Sequence, residues 1–528
     1  MFRRAWVVID CNMKSIYITT PIYYVNARPH MGHAYTTIAC DVYARYCRSQ
    51  HWDVKFTTGT DEHGKKIEQS ALAAGIEPQL FVDQVSQHFR NLLSTLNITN
   101  DDFIRTTESR HKKAVEYFWE RMKERGYIYL GEYSGWYDIR NEAYFSEEEL
   151  VNGKSPLGGD VQYMKEPCYF FRLSEFNRQL GEFYENNPDF IVPIQRKNEI
   201  LSFVRQGLKD VAISRTTFNW GIKVPKDPAH VIYVWLDALV NYLTLNGYPD
   251  NSKQGADVFW QNSIHIVGKE ITKFHAVYWP SFLMAAGIPP PKQIVSHGWW
   301  LSEGEKMSKS TGNVQDPVKY CKLFGSDSLR YYLIRELPFG ADGNFVLEGF
   351  VNRHNTFLVN SFGNLCHRTL SFIKNYADGI VEKPNSSEYI PDDAIFIDAI
   401  TRGLTNAVQN MEQYYFNKYL ETLEHLSSIA NQYIDKHKPW DLRKAGLTSR
   451  MNAVLFVLLE QVYKITKFLA PVIPISSEKI LKQINIPYTP AILPKERIPR
   501  KVEIHSPEIV FEKIDVSDLT QFDVYAND

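Results

Sequence analysis

A chain of 528 residues is too long for one small binding module, and at about 100–200 residues per domain it holds roughly three. Hydrophobic residues make up 44% and charged residues 23%, with 11 Trp, 31 Tyr and 30 Phe to fill cores, which is the composition of a globular protein. Six cysteines without a CxxC pair exclude a secreted disulfide scaffold, the longest apolar run (residues 453–459) is far short of the about 18 residues of a membrane span, and a formal charge of −2 leaves any nucleic-acid contact to local basic patches.

Residues 1–12 read as an N-terminal extension. Arg3 and Arg4 precede only five apolar residues before Asp10, too few for a signal-peptide core. Ser15 to Pro21 predicts a buried strand, and His33 to Tyr46 carries helical apolar spacing. Val54 to Thr58 predicts a second strand, Gly59 and Gly64 bracket a loop, and Lys65 to Ala74 a second helix. Strand alternating with helix predicts a parallel α/β sheet, whose first half we place at residues 13–115.

The texture changes over residues 116–215, which we read as an insertion. Val115, Phe118, Trp119 and Met122 share a helix face, Tyr127 to Leu130 and Cys168 to Leu173 look like strands, and Ser174 is placed to cap a helix. The α/β rhythm returns over 216–345, with strands expected at His230 to Val234, Ser263 to Val267 and Gln293 to Trp300. From about residue 345 the strands stop. Amphipathic stretches at Phe350 to Tyr376, Asp393 to Lys436 and Ser449 to Leu469, parted by the linker Pro384 to Pro391, predict an all-α bundle over 346–528.

Two motifs carry chemistry. Pro29-His30-Met31-Gly32-His33 stands where the first strand turns into the first helix. The two histidines share a face there, Gly32 admits a flat base close to the backbone, and the helix dipole favours phosphate. Lys306-Met307-Ser308-Lys309-Ser310, followed by Thr311-Gly312-Asn313, sets two ammonium groups among hydroxyl and amide donors, a set suited to polyphosphate. HxGH on the first strand-helix turn and KMSKS after the last sheet strand together resemble the paired signatures of the class I aminoacyl-tRNA synthetases.

Further segments narrow the likeness. Thr20-Pro21-Ile22-Tyr23-Tyr24-Val25-Asn26, Gly59-Thr60-Asp61-Glu62-His63-Gly64, Trp235-Leu-Asp-Ala238-Leu239-Val-Asn-Tyr242 and Gly268-Lys269-Glu270-Ile271-Thr-Lys-Phe274-His275 resemble the methionyl-tRNA synthetase family from about Tyr17 to the C-terminus. That resemblance implies a Rossmann-like catalytic domain with an inserted connective domain, then a helical anticodon-binding domain. It implies a methionine pocket of Ile22, Tyr24, Trp235, Ala238, Leu239, Tyr242, Ile271 and His275, with Asp61 on the substrate ammonium. Aromatic walls suit a thioether, which gains about 0.3–1.5 kcal/mol per sulfur–ring contact. ATP is expected at His30, Gly32, His33, His297, Gly298, Lys306, Ser308 and Lys309, with His30, His33, Lys306 and Lys309 as the catalytic set. Arg215 is expected to orient substrate or tRNA. Asn364, Arg368 and Trp440 are expected to read the anticodon, beside the basic residues Lys436, Lys438, Arg443 and Lys444.

Many family members carry cysteine pairs on a zinc knuckle in the insertion, whereas Cys168 is the only cysteine here. No four-thiolate zinc site can be built, so no structural zinc is expected and the one metal implied is Mg²⁺ with ATP. Glu270 stands where the family pattern has aspartate. The implied partners are L-methionine, ATP and tRNA(Met), initiator tRNA included, without a membrane. A monomer is expected, because a chain ending at Asp528 has no room for an appended oligonucleotide-binding domain, in the bacterial cytoplasm or alternatively the mitochondrial matrix. The rivals are another class I synthetase for an apolar amino acid, against which the modest insertion counts, and a non-catalytic tRNA-binding paralogue, against which both intact motifs count.

Overall fold

The computed structural model describes residues 14–138, 143–145, 147–156, 158–250, 256–302, 304–307, 313–486 and 491–515. Its framework is a parallel sheet in the order β2-β3-β1-β13-β14-β8, with β4 also on β3. Here β1 is Ser15–Thr19, β2 Tyr23–Tyr24, β3 Asp53–Asp61 and β4 Asp102–Arg105. The insertion strands are β5 (Ile128–Asp138), β6 (Ala143–Phe145), β7 (Val161–Phe171), β8 (Ile191–Val192) and β9 (Val211–Ala212). Then come β10 (Ser214–Arg215), β11 (Lys223–Val224), β12 (Asp227–Ile232), β13 (Ser263–Gly268) and β14 (Gln293–His297). Short strands follow at β15 (Trp300–Ser302), β16 (Glu305–Lys306), β17 (Gly343–Asn344), β18 (Ile380–Glu382) and β19 (Lys501–Glu503).

β1 pairs in parallel with β3 on one side and β13 on the other. The chain first builds outward through β3, then returns after the insertion to build the other way. The carboxyl ends of β1, β3 and β13 therefore flank the place where strand succession reverses, which is where open α/β sheets hold their ligands. Helices cover the sheet, so its strands are buried runs; all six residues of β13 are buried.

Three expectations change in the catalytic part and the insertion. Gly59 lies inside β3 and does not open a loop: a β-carbon there would stand 2.2 Å from the Ile104 carbonyl oxygen, so glycine lets β4 approach. Gly64, at φ 115°, does turn the chain. The strand expected at His230 to Val234 is β12, which pairs antiparallel with β10 and β11 and not with the parent sheet. An apolar run announces a strand but not its partner. The insertion of 116–215 is not wholly separate, because β8 pairs in parallel with β14, and two residues are too few to show a period.

In the helical third the stretch 393–436 is two helices, Pro391–Glu412 and Phe416–His437, broken where Tyr414 takes φ 60°. Strands do not stop at 345, since β18 pairs with β19. Phe350 to Tyr376 contains a π-helical stretch, His354–Gly363, between α-helical ends. The helix Thr448–Leu469 is buried on every side from Ala453 onward, as the central member of a bundle must be.

One core runs from the sheet into the bundle, including Ile18, Tyr35, Phe345, Leu420 and Leu459. It is pinned by a fully buried ion pair, Arg330 to Asp41 at 2.7 Å. Asp41, on the first helix (Met31–Ser49), also accepts from Arg45 and Thr99. Arg330 donates to the carbonyls of Pro471 and Val472 at 2.8 Å and of Leu96 at 3.1 Å. Removing one partner of a buried pair costs about 3–5 kcal/mol. Arg330→Ala is therefore expected to lose stability of that order in chemical denaturation, and a loss of under about 1 kcal/mol would contradict the role given to the pair.

Candidate active site

A cavity of about 530 Å³ opens at the carboxyl ends of the central strands. The polypeptide enters it through the start of the first helix. His30 is the N-cap: its Nδ1 accepts from the Gly32 amide at 3.0 Å, while the His30 amide donates to His33 Nδ1 at 3.1 Å. Each histidine so caps the turn through Nδ1, which leaves the neutral ring's hydrogen on Nε2. The rings lie 3.9 Å apart, and His33 is held edge-on by Tyr23 and Phe89. A β-carbon at Gly32 would stand 2.9 Å from His30 Cε1. The glycine thus makes room for the histidine, a reason that spacing alone does not show.

His297 ends β14 and lies against the same helix. Its Nδ1 donates to the Gly298 carbonyl at 2.7 Å, so Nε2 accepts from the Thr36 hydroxyl at 2.7 Å. Burial holds its pKa below the ordinary histidine value. A β-carbon at Gly298 would meet the Ala341 carbonyl oxygen at 2.1 Å, so backbone packing alone demands glycine. Beside it Trp299 Nε1 donates to Glu270 at 2.6 Å, the Trp299 amide to Asp342 at 2.8 Å, and the Lys269 ammonium sits 4.0 Å above the indole.

The same cavity holds an aromatic box. Trp235, Ala238, Leu239 and Tyr242 come from the short helices Val234–Leu239 and Asn241–Thr244, Ile271 and His275 from the segment after β13, and Ile22 and Tyr24 from the segment after β1. Trp235 stacks on Phe274 at 3.7 Å and 8°, and Tyr242 on His265 at 4.0 Å and 21°. His275 Nδ1 donates to the Ile271 carbonyl at 3.0 Å, so its Nε2 accepts the Tyr242 hydroxyl at 2.7 Å. Burial pushes the His275 pKa down to about 4, so the box is neutral at physiological pH. Asp61, at the end of β3 and paired in register with Tyr24, brings the carboxylate.

All nine residues expected for methionine, and His30, Gly32, His33, His297 and Gly298, line this one cavity. Met307 lines it too. The backbone of Lys306 pairs with Leu301; Ser308 and Lys309 lie outside the described residues. Arg215 is not among the lining residues: it is buried in β10, donates to the Ser214 carbonyl at 2.7 Å and lies 4.4 Å from the ring of Tyr233, which does line the cavity. Sequence reading missed Tyr233, Asn241, Lys66 and Trp299 as lining residues. Trp299, next to His297-Gly298, was the one with an available signal.

In the bundle, Asn364 is exposed at the start of the helix Asn364–Tyr376. Arg368, one turn on, bonds Asp435 at 2.8 Å and lies 6.0 Å from Phe372, whose ring is 5.5 Å from half-buried Trp440. Phe372 thus links Arg368 to Trp440. Of the neighbouring basic residues, Lys436 pairs with Asp392. Among the described residues no group of three His, Cys, Asp or Glu is placed to hold a metal ion, and no helix is long and apolar enough to cross a membrane.

A family model described as class I tRNA synthetases (M) matches residues 16–162 and 146–370, and one for the anticodon binding domain of methionyl tRNA ligase matches residues 383–525. The methionine–tRNA ligase of Rickettsia felis is 52% identical over 474 residues, 89% of this chain and 92% of that protein. Its counterpart from Brucella suis is 46% identical over 476 residues, 89% and 92% of the two chains. The structure of Mycobacterium tuberculosis methionyl-tRNA synthetase in complex with methionyl-adenylate superposes with a TM-score of 0.91 at 42% identity, covering 94% of this chain and all of that one. The free-state structure of the same enzyme gives 0.85 at 39% identity, with 96% and 99% covered.

The histidines fix a pH dependence. His275, and with it His265 and His297, are held by burial below the ordinary value of 6.5. Between about pH 4 and 6.5 the unfolded chain thus binds protons that the native state refuses, and stability falls as pH falls through that window. His275→Gln is expected to give a shallower acid-side loss of unfolding free energy between pH 6.5 and 5 than the parent; an unchanged slope would contradict a neutral, buried His275.

Proposed function

The chain belongs to the methionyl branch of the class I tRNA synthetases, and from that premise we propose how its residues divide the charging of tRNA with methionine. The activity itself is that of a methionine–tRNA ligase, an aminoacyl-tRNA ligase that uses ATP. What carries the division is a single cavity that brings a helix N-terminus with two histidines, the Asp61 carboxylate and a neutral aromatic box together.

Asp61 takes the substrate ammonium, a charge-assisted contact in a largely buried place. The side chain then lies in the box, where the Tyr242 hydroxyl is committed to His275. A thioether, a weak acceptor with polarizable sulfur, suits such rings. Side chains that demand strong hydrogen bonds or carry charge lose their water and gain no partner. Polarity therefore favours a thioether side chain over charged or strongly hydrogen-bonding ones.

The substrate carboxylate is left facing the start of the first helix. There His30 and His33, each with its hydrogen on Nε2, and the helix dipole meet the phosphates of ATP. A carboxylate oxygen forms the bond to the α-phosphorus, the bond to the bridging oxygen breaks, and pyrophosphate leaves with that electron pair. No side chain forms a covalent bond; the chain supplies position and charge. Gly298 and His297 flank the adenine, and Lys306 and Lys309 neutralise the departing pyrophosphate. Mg²⁺ accompanies ATP as part of that substrate. A ribose hydroxyl of the tRNA's 3′-terminal adenosine then attacks the methionyl carbonyl, and AMP leaves.

Arg215 holds Tyr233 against the cavity from behind. Asn364, Arg368 and Trp440 read the anticodon of tRNA(Met), Trp440 by stacking on an unpaired base. The likeness to enzymes of Rickettsia felis and Brucella suis supports a bacterial-type enzyme working where translation takes place.

Pyrophosphate exchange measured with each amino acid tests this reading. Exchange should require methionine and should survive prolonged chelation once Mg²⁺ is restored; exchange driven by leucine, isoleucine or valine, or none, would refute it. Trp440→Ala should cripple aminoacylation while leaving that exchange nearly intact, since one stacking platform is worth about 1–3 kcal/mol of nucleic-acid binding. Equal loss in both reactions would make Trp440 a core anchor.

A further inference from the structure

Behind the cavity wall lies a buried cluster that makes no part of the lining. Asp237, on the six-residue helix Val234–Leu239, is fully buried, and each of its carboxylate oxygens is bonded to a different histidine. His63 Nδ1 is 2.6 Å from Oδ2 and His111 Nε2 is 2.7 Å from Oδ1. Both histidines are themselves buried. With its two histidines as partners, Asp237 stays at a pKa of about 2 although burial alone raises it, so the bonds are made to a carboxylate.

The three come from separate parts of the fold. His63 is two residues past Asp61 in the segment leaving β3, and His111 sits on the helix Ser109–Glu124. Asp237 lies between Trp235 and the pair Ala238 and Leu239, all three of which line the cavity. The segment carrying His63 is fixed in turn. Glu62 accepts from Thr60 and Arg105 at 2.7 Å and from Thr107 at 2.6 Å, and Trp220 Nε1 donates to the Glu62 carbonyl at 2.6 Å. A helix of six residues has no stability of its own, so what holds it to the carboxylate of Asp61 sets the distance between them.

We propose that Asp237 is a positioning residue that, through His63 and His111, fixes the gap between Asp61 and the Trp235–Leu239 wall and thereby the length of amino-acid side chain the cavity accepts. This rests on the reading of the cavity as the methionine site. Asparagine at 237 keeps the shape but has one acceptor oxygen and a donor NH₂ group, so one histidine arm loses its bond unless its ring changes tautomer.

The test is pyrophosphate exchange by the full chain, parent and Asp237→Asn, with methionine and with ethionine, which is one methylene longer. The variant is expected to raise the KM for methionine at least tenfold, to leave the KM for ATP within about twofold, and to raise kcat/KM for ethionine relative to methionine at least threefold. Unchanged KM values, or losses shared equally by both substrates with an unchanged ethionine ratio, would overturn the proposal, since loosened folding alone predicts the latter. If Asp237→Asn does not melt cooperatively, His63→Gln, which keeps the His111 arm, must show the same split or the proposal falls. A parent that shows no methionine-dependent exchange would overturn the reading of the cavity itself, and this inference with it.

Discussion

The contact between Asp41 and Arg330 is the one on which the arrangement depends. Two charges taken wholly out of water are costly, and only further hydrogen bonds offset that cost. Here the further bonds are the useful part. Asp41 is on the helix whose first turn holds His30 and His33, while Arg330 reaches three carbonyls, two of them in the turn that leads into the helix Pro474–Ile484. The guanidinium thus joins the first helix of the catalytic part to the helical third, within a core that crosses from one to the other. Reading an anticodon and activating an amino acid are carried by one packed body.

Within that body charge is rationed. Asp61 and the start of the first helix both line the cavity, and burial around them holds His265 and His275 below the ordinary histidine value and pushes the Tyr242 phenol well above its own. Asp237, kept anionic by two histidines, does not line the cavity. In the proposed division of labour, such a site acts by placing two reactants and meeting the charge that develops on the phosphates, where preorganised dipoles gain most in a dry pocket.

Much of this was legible in the sequence because it is local. The HxGH turn, the Asp61 segment and the Trp235 segment each lie on a few consecutive residues at the end of a strand or the start of a helix, and all reach one cavity. What could not be read is the reason for individual residues. Gly32, Gly59 and Gly298 are required by protein atoms that lie against them, two of the three contacts being with distant backbone. The ring hydrogens of His30, His33 and His275 follow from partners that only the fold supplies. The Asp237 cluster joins residues 174 and 126 positions apart. One acidic residue inside the otherwise apolar Trp-Leu-Asp-Ala-Leu run was its only trace. β8 and β18 were missed because strands of two or three residues show no period.

The central claim is that one cavity selects the amino acid between a carboxylate and a neutral aromatic box, with the phosphates at the first helix. A crystal structure of the protein with a non-hydrolysable methionyl-adenylate analogue tests it most directly. The account predicts the ammonium within about 3 Å of the Asp61 carboxylate, the sulfur against the rings of Trp235 and Tyr242, and the phosphate mimic at the turn of His30 and His33. A ligand seated with its ammonium away from Asp61, or with its thioether outside the Tyr242–His275 box, would contradict it.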